Sequence, residues 1–182
     1  TLDRSSAASD VYKRQAPYHG SFYMRDWRRL TKYSGGFMLE KCCHDLDIIC
    51  WLMSGSTPGR VSSFGSRMYF REENAPAGSG LKCLVDCEIE STCHYSARKN
   101  FIGNDLYSTH VWRDIEHITN LTDAQKIEHL KGDCPHGRCV WRCDNDVVDH
   151  QSVMIEFDGG AVATHEMVGG TANCLLYTSD AA

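Results

Sequence analysis

Glu40, His44, Asp47 and Trp51 follow one another at i, i+4, i+7 and i+11. At 3.6 residues per turn, that spacing puts all four on one stripe of a helix. A carboxylate one turn before a histidine can accept a hydrogen bond from the imidazole and orient it. It also raises the histidine pKa, because the charged form gains a partner. A histidine of this kind suits proton transfer near neutral pH. Oxidation of an alcohol needs such a group, since a base must take the hydroxyl proton as hydride leaves carbon. An ordinary solvated helix face carries the same spacing, so spacing alone does not assign the chemistry.

Three weaker constellations accompany the stripe. Asp144-Asn145-Asp146 and Asp149-His150-Gln151 form a polar cluster between two apparent strands. Sugar hydroxyls are bound by such groups, which makes Asp146 and His150 candidate substrate ligands; a solvated turn has the same composition. Arg25-Asp26-Trp27-Arg28 could line a substrate mouth, Trp27 stacking on a sugar face and Arg28 holding polar groups, or could be a surface helix. Cys134, His136, Cys139 and Cys143, with Cys93-His94 upstream, offer zinc ligands. Their spacing is not that of a standard zinc knuckle. On a strand, Cys139 and Cys143 would stand ~13 Å apart, and no metal site is expected from them.

The elements that must position these residues follow from periodicity. Met38 to Met53 is the strongest helix signal: Leu39, Cys42, Cys43, Leu46, Ile49, Cys50 and Met53 form an apolar face opposite the stripe. Gly35-Gly36 precede this helix, and Gly55 and Pro58 end it. Ala16 to Tyr33 reads as a loop with a helical turn at Asp26 to Leu30, and Asp123 to Lys131 as a helix. Arg60 to Phe70, Leu84 to Cys93, Cys139 to Cys143 and Gln151 to Phe157 read as strands. Asp158-Gly159-Gly160 is a hairpin turn, with Ala161 to Val168 as the returning strand. A helix followed by hairpin-connected strands predicts an α+β fold with an open, mainly antiparallel sheet and helices on one face.

Both ends of the chain carry a second signal. DVYKRQ (Asp10 to Gln15) back-translates to GATGTGTATAAGAGACAG, the end sequence inserted by a common sequencing-library transposase. CLLYTS (Cys174 to Ser179) back-translates to the reverse complement of that end. Residues 1–15 and 174–182 are therefore expected to be adapter-derived and to make only incidental contacts. On this reading Ala16 to Asn173 is the native insert, one domain long enough for a core.

The net charge of −5, without a basic stripe, argues against nucleic-acid binding. No apolar run reaches the roughly 18 residues of a membrane span. Ten irregularly spaced cysteines, one of them in the adapter-like tail, read best as reduced thiols of a cytoplasmic enzyme.

GGFMLEKCCHDLDIICWL resembles the helix that opens the C-terminal domain of the Gfo/Idh/MocA oxidoreductases, the relatives of glucose–fructose oxidoreductase and inositol dehydrogenase. Gly35, Gly36, Glu40, His44 and Asp47 fall on that family's motif, with Glu40 where Asp is usual. GRCVWRCDNDVVDHQSVMIEFDGGAVATHEM is similar to a strand, loop and hairpin of one branch, and the resemblance spans nearly the whole insert. It implies the substrate-binding half of an NAD(P)-dependent enzyme acting on a sugar or polyol hydroxyl. His44 would transfer the proton, Glu40 would orient it, and Asp47, Trp27, Arg28, Asp146 and His150 would face substrate. The resemblance implies that the Rossmann half, with its NAD or NADP site, lies outside this sequence. Gly78-Ser79-Gly80 is followed by Leu-Lys-Cys and makes no phosphate cradle. Lys41 lacks a following proline and is not the family's Glu-Lys-Pro lysine. A homo-oligomer through the sheet face is implied as well. Two alternatives remain: a family member that cleaves glycosides through transient use of NAD, and a non-catalytic, metal-stabilised binding module.

Overall fold

The computed structural model describes the backbone of residues 9–14, 17–170 and 175–180, and the side chains of residues 19–170. Three strands form an antiparallel meander: β2 (Pro58–Ser66), β3 (His150–Phe157) and β4 (Val162–Val168). β3 and β4 alternate as half-buried strands should. Val153, Ile155 and Phe157 of β3 point inward with Ala163 of β4. The turn between them needs two residues at positive φ, and Gly159 and Gly160 supply +83° and +84°.

The inner face is covered by α3 (Cys43–Leu52), whose Ile49 is fully buried against β3 and β4, with Leu46 and Met53 beside it. The outer face carries Ser62, Phe64, Met154 and Glu156, and Phe64 is 79% exposed. The expected α+β architecture with an open, mainly antiparallel sheet is the one observed.

The helix and the ends differ from expectation. Met38 to Met53 is not one helix: α2 (Gly36–Glu40) stops at Lys41, and α3 starts after Cys42. Ser34 Oγ accepts from the Gly36 amide at the start of α2. Ser9–Arg14 (β1) pairs parallel to β4, and Leu175–Asp180 (β5) pairs antiparallel to β1, giving the sheet order β2-β3-β4-β1-β5. The incidental contacts expected of the two ends are thus replaced by backbone ladders. An open strand edge presents N–H and C=O groups that pair with any β-prone segment, whatever its origin. The side chains of Val11, Tyr12 and Leu175, expected to stay out of the core, lie outside the described residues.

The long connection from β2 to β3 packs with α1 (Pro17–Tyr23) around an aromatic core. Phe22, Phe37, Phe70, Tyr95, Phe101 and Trp141 are buried there. α4 (Ser108–Val111) and α5 (Asp123–Lys131) flank this core. α5 has the expected bounds, and Thr122 and Gln125 form a reciprocal capping box at its start. The strands expected at 84–93 and 139–143 are absent: the first segment is a series of turns, and Val140–Arg142 is a 3₁₀ turn. α1 falls where a loop was expected.

Polar struts fix this irregular half. The Asp149 carboxylate accepts from the amides of Met68, Tyr69 and Phe70 at 2.8, 2.9 and 2.6 Å. Fully buried Arg25 donates to the carbonyls of Ser21, Tyr95 and Arg138 and to the sulfur of Cys83. Arg25 is therefore an interior strut and not part of a substrate mouth.

Candidate functional site

The polar stripe of α3 points away from the sheet. His44, Asp47 and Trp51 are exposed, as their phase opposite Ile49 requires. Glu40, one helical break earlier, is half-buried and turns elsewhere: its Oε2 lies 3.4 Å from Arg28 Nε. Among the described residues no hydrogen bond joins Glu40 to His44. The break at Lys41–Cys42 interrupts the regular i to i+4 geometry, and the nearby guanidinium takes the carboxylate.

Arg28 organises that corner. Its guanidinium sits 4.3 Å from the Trp27 ring centroid and 3.2 Å from Asp26 Oδ1. The Tyr23 hydroxyl donates to the Glu40 carbonyl at 3.3 Å, and burial holds this phenol above its usual pKa. Trp27, Arg28 and Glu40, chosen separately from sequence, are thus one cluster.

Asp146 joins the neighbouring turn. Its carboxylate accepts from Thr31 N at 2.7 Å and Thr31 Oγ1 at 2.9 Å, and its own amide donates to the Arg29 carbonyl. Arg29 Nε donates to Asp144 at 2.8 Å, and that hydrogen bond holds the Asp144 carboxyl below its usual range. The acidic loop therefore braces the turn that carries Trp27 and Arg28. His150 opens β3, paired with Val168 and Ser66, and its Nδ1 is buried without a hydrogen-bond partner. The structure ties His150 to the sheet, not to the Arg28 cluster.

Beside Trp27 lies an open cleft of about 300 Å³, with Asp26, Tyr33, His110, Arg113 and Asp114 on its walls. Aromatic faces and charges of both signs around a cleft this size suit a polyhydroxylated ligand. Tyr33, His110 and Arg113 had no signal of their own in the sequence, because the cleft is assembled from segments far apart in the chain, 26–33, 110–114 and 135–136.

A second group escaped sequence reading for a different reason. Cys42, Asp45 and His165 are all buried, their ligand atoms lie within 4.8 Å of one another, and His165 Nε2 stands 3.4 Å from Asp45 Oδ2. This trio is chemically able to hold a metal; its evident structural effect is to pin α3 to β4. The signal was there to be read: Asp45 sits between Cys42 and Ile49 on the buried stripe, and a carboxylate in that position requires a partner. His136, weighed as a zinc ligand, is instead stacked at 5.5 Å on Phe22 and edge-on to Phe101. Burial, then the charge of Arg25, pushes its pKa down to about 3.

The chain is 24% identical, over 163 residues, to YteT of Bacillus subtilis (strain 168), which is named as an oxidoreductase. The match covers 83% of this chain and 34% of YteT, so the chain spans about a third of the relative's length. No family model matches the chain, and no solved structure matches it. Among the described residues no helix is long and apolar enough to cross a membrane.

Proposed function

We propose that this chain is the substrate-binding part of an NAD(P)-dependent oxidoreductase that acts on a sugar or polyol hydroxyl. The observation that carries the reading is the exposure of His44 and Asp47 on the free face of α3, one break away from the Glu40–Arg28–Trp27 cluster. Likeness to an oxidoreductase-named protein agrees with it. His44 takes the hydroxyl proton of the substrate and Asp47 holds a neighbouring hydroxyl. Glu40 acts through Arg28, which it positions beside Trp27. NAD or NADP binds in a separate Rossmann segment that docks over the exposed stripe. Phe64 and Met154 on the outer sheet face supply the apolar part of a homo-oligomer contact.

The test uses a longer chain that includes the nucleotide-binding segment. His44→Ala should lower kcat ~10²–10⁴-fold, the usual weight of a positioned base, and leave cofactor affinity unchanged. Glu40→Gln should mainly raise KM if the carboxylate serves Arg28. A shift of the pH–rate profile to lower pH would instead mean that Glu40 reaches His44 in the complex. Near-normal kcat in His44→Ala would overturn the reading. The 182-residue chain alone should show no saturable heat with NAD or NADP.

A further inference from the structure

The segment between Pro76 and His94 contains no helix and no strand, and it is turned inside out by the usual standard. Leu81 and Val85 are 63% and 62% exposed, while Cys83 is buried. Aliphatic burial in this segment is limited to half-buried Leu84 and Ile89. Where a core supplies so little, a staple can hold the chain, either a disulfide or a metal, as it does in small domains. All nine cysteines among the described residues are free thiols.

Four of them converge. Cys83, Cys87, Cys93 and Cys139 line one cavity of about 10 Å³, room for a single atom-sized occupant. The backbone brings two of them together from distant parts of the chain. Cys83 N donates to the Gly137 carbonyl at 2.9 Å and Cys139 N to the Leu81 carbonyl at 2.8 Å, on either side of a Lys82–Arg138 bridge. The Asp86 carboxylate accepts from the amides of Leu81 and Lys82 at 2.9 and 2.8 Å and so shapes the turn from Cys83 to Cys87.

A separate observation concerns charge. Arg25 also lines this cavity and is fully buried. Its partners are carbonyls, the Ser21 hydroxyl, Cys83 Sγ at 3.1 Å and the face of Phe101; the Glu90 carboxylate lines the same cavity but accepts from the Ser96 hydroxyl, and among the described residues no carboxylate pairs with Arg25. A buried guanidinium without an anion is costly. Neutral thiols do not compensate it, whereas metal-bound thiolates do.

We propose that Cys83, Cys87, Cys93 and Cys139 bind one zinc ion as a structural tetrathiolate centre, with Arg25 as its counter-charge. Each thiol gives its proton to solvent and its sulfur to the metal. The resulting centre carries two net negative charges, one of which Arg25 offsets. The four sulfurs are not at ligand spacing here: among the described residues, the His/Cys/Asp/Glu group within 4.8 Å is Cys42, Asp45 and His165. Binding draws the four sulfurs to about 3.8 Å from one another, as Zn–S bonds of ~2.3 Å require, and so fixes the turns around them.

The 182-residue chain, purified under reducing conditions, should contain about one zinc per molecule by mass spectrometry. A mercurial reagent should release that zinc as the thiols titrate. Cys83→Ser and Cys139→Ser should each reduce bound zinc roughly tenfold or more, while Cys42→Ser keeps it. If the serine variants do not fold, cobalt substitution of the unaltered chain decides, because tetrahedral four-sulfur ligation has its own visible and thiolate charge-transfer bands. Three results would overturn the proposal: a folded chain without stoichiometric metal, a cobalt spectrum with nitrogen or oxygen ligands, or zinc that survives Cys83→Ser and is lost in Cys42→Ser.

Discussion

In the sheet, Val153, Ile155, Phe157 and Ala163 face Ile49 of α3, and apart from the buried Asp45–His165 pair that region is held by apolar contacts and strand ladders. Between β2 and β3 the aromatic core is wrapped by chain that, α5 apart, follows no period. There the shape depends on a few charged groups: Asp149 under three amides, Arg25 under three carbonyls, and Asp86 under two amides. The two regions should fail differently. Apolar burial degrades by degrees as methylenes are removed, whereas a polar strut fails at once because its orphaned partners stay buried.

The largest expected effect follows from that contrast. Asp149→Ala leaves three amides without an acceptor and should cost about 3–5 kcal/mol, read as a fall in denaturant midpoint. A loss under ~1 kcal/mol would mean that water replaces the carboxylate and that the contrast between the regions is overstated. Ile155→Ala in the sheet should cost about 3 kcal/mol through cavity formation. A value like that of a surface site would show that α3 relaxes into the gap.

His136 sharpens the comparison through pH. Its folded pKa of about 3 lies below the ordinary value of 6.5, so the unfolded chain binds a proton that the folded chain refuses. Its stabilising contribution is complete above about pH 6.5 and is lost as pH falls toward about 3, at up to about 1.4 kcal/mol per pH unit. His136→Phe should flatten stability between pH 6.5 and 4. An unchanged slope would place the acid sensitivity in the carboxylates instead. The smallest effect should come from Glu156→Ala, which removes an exposed ion pair with Arg60 and should cost under ~0.5 kcal/mol in a melting curve.

Legibility in the sequence divides along the same line. The β3–β4 hairpin, α5 and the outward phase of His44, Asp47 and Trp51 were all readable from period and turn residues, because local pattern and tertiary burial agree there. The strands expected at 84–93 and 139–143 were misread: valine, tryptophan and cysteine satisfy a strand's composition, but the two passages pair only at the Lys82–Arg138 bridge, and local bonds from Val85, Asp86 and Arg142 to the Lys82 and Cys139 carbonyls turn the chain. Glu40 was read on one stripe with His44, but the helix breaks between them and its partner, Arg28, comes from another segment and leaves no trace in spacing. The roles of Asp149 and Arg25 depend on groups tens of residues away, and no window along the chain contains them.

Asp149 does one thing more. Its amide donates to the Ser66 carbonyl at the end of β2, and its carbonyl accepts from Gly169, just beyond β4, at 2.7 Å. One residue therefore bonds the exits of two strands and the loop at 68–70. The amides of Met68, Tyr69 and Phe70 belong to no ladder, yet their exchange with deuterated solvent requires Asp149 to let go, and with it the ends of the strands. By its address in the chain this loop should be among the first parts to open; by its kinetics it should open with the sheet.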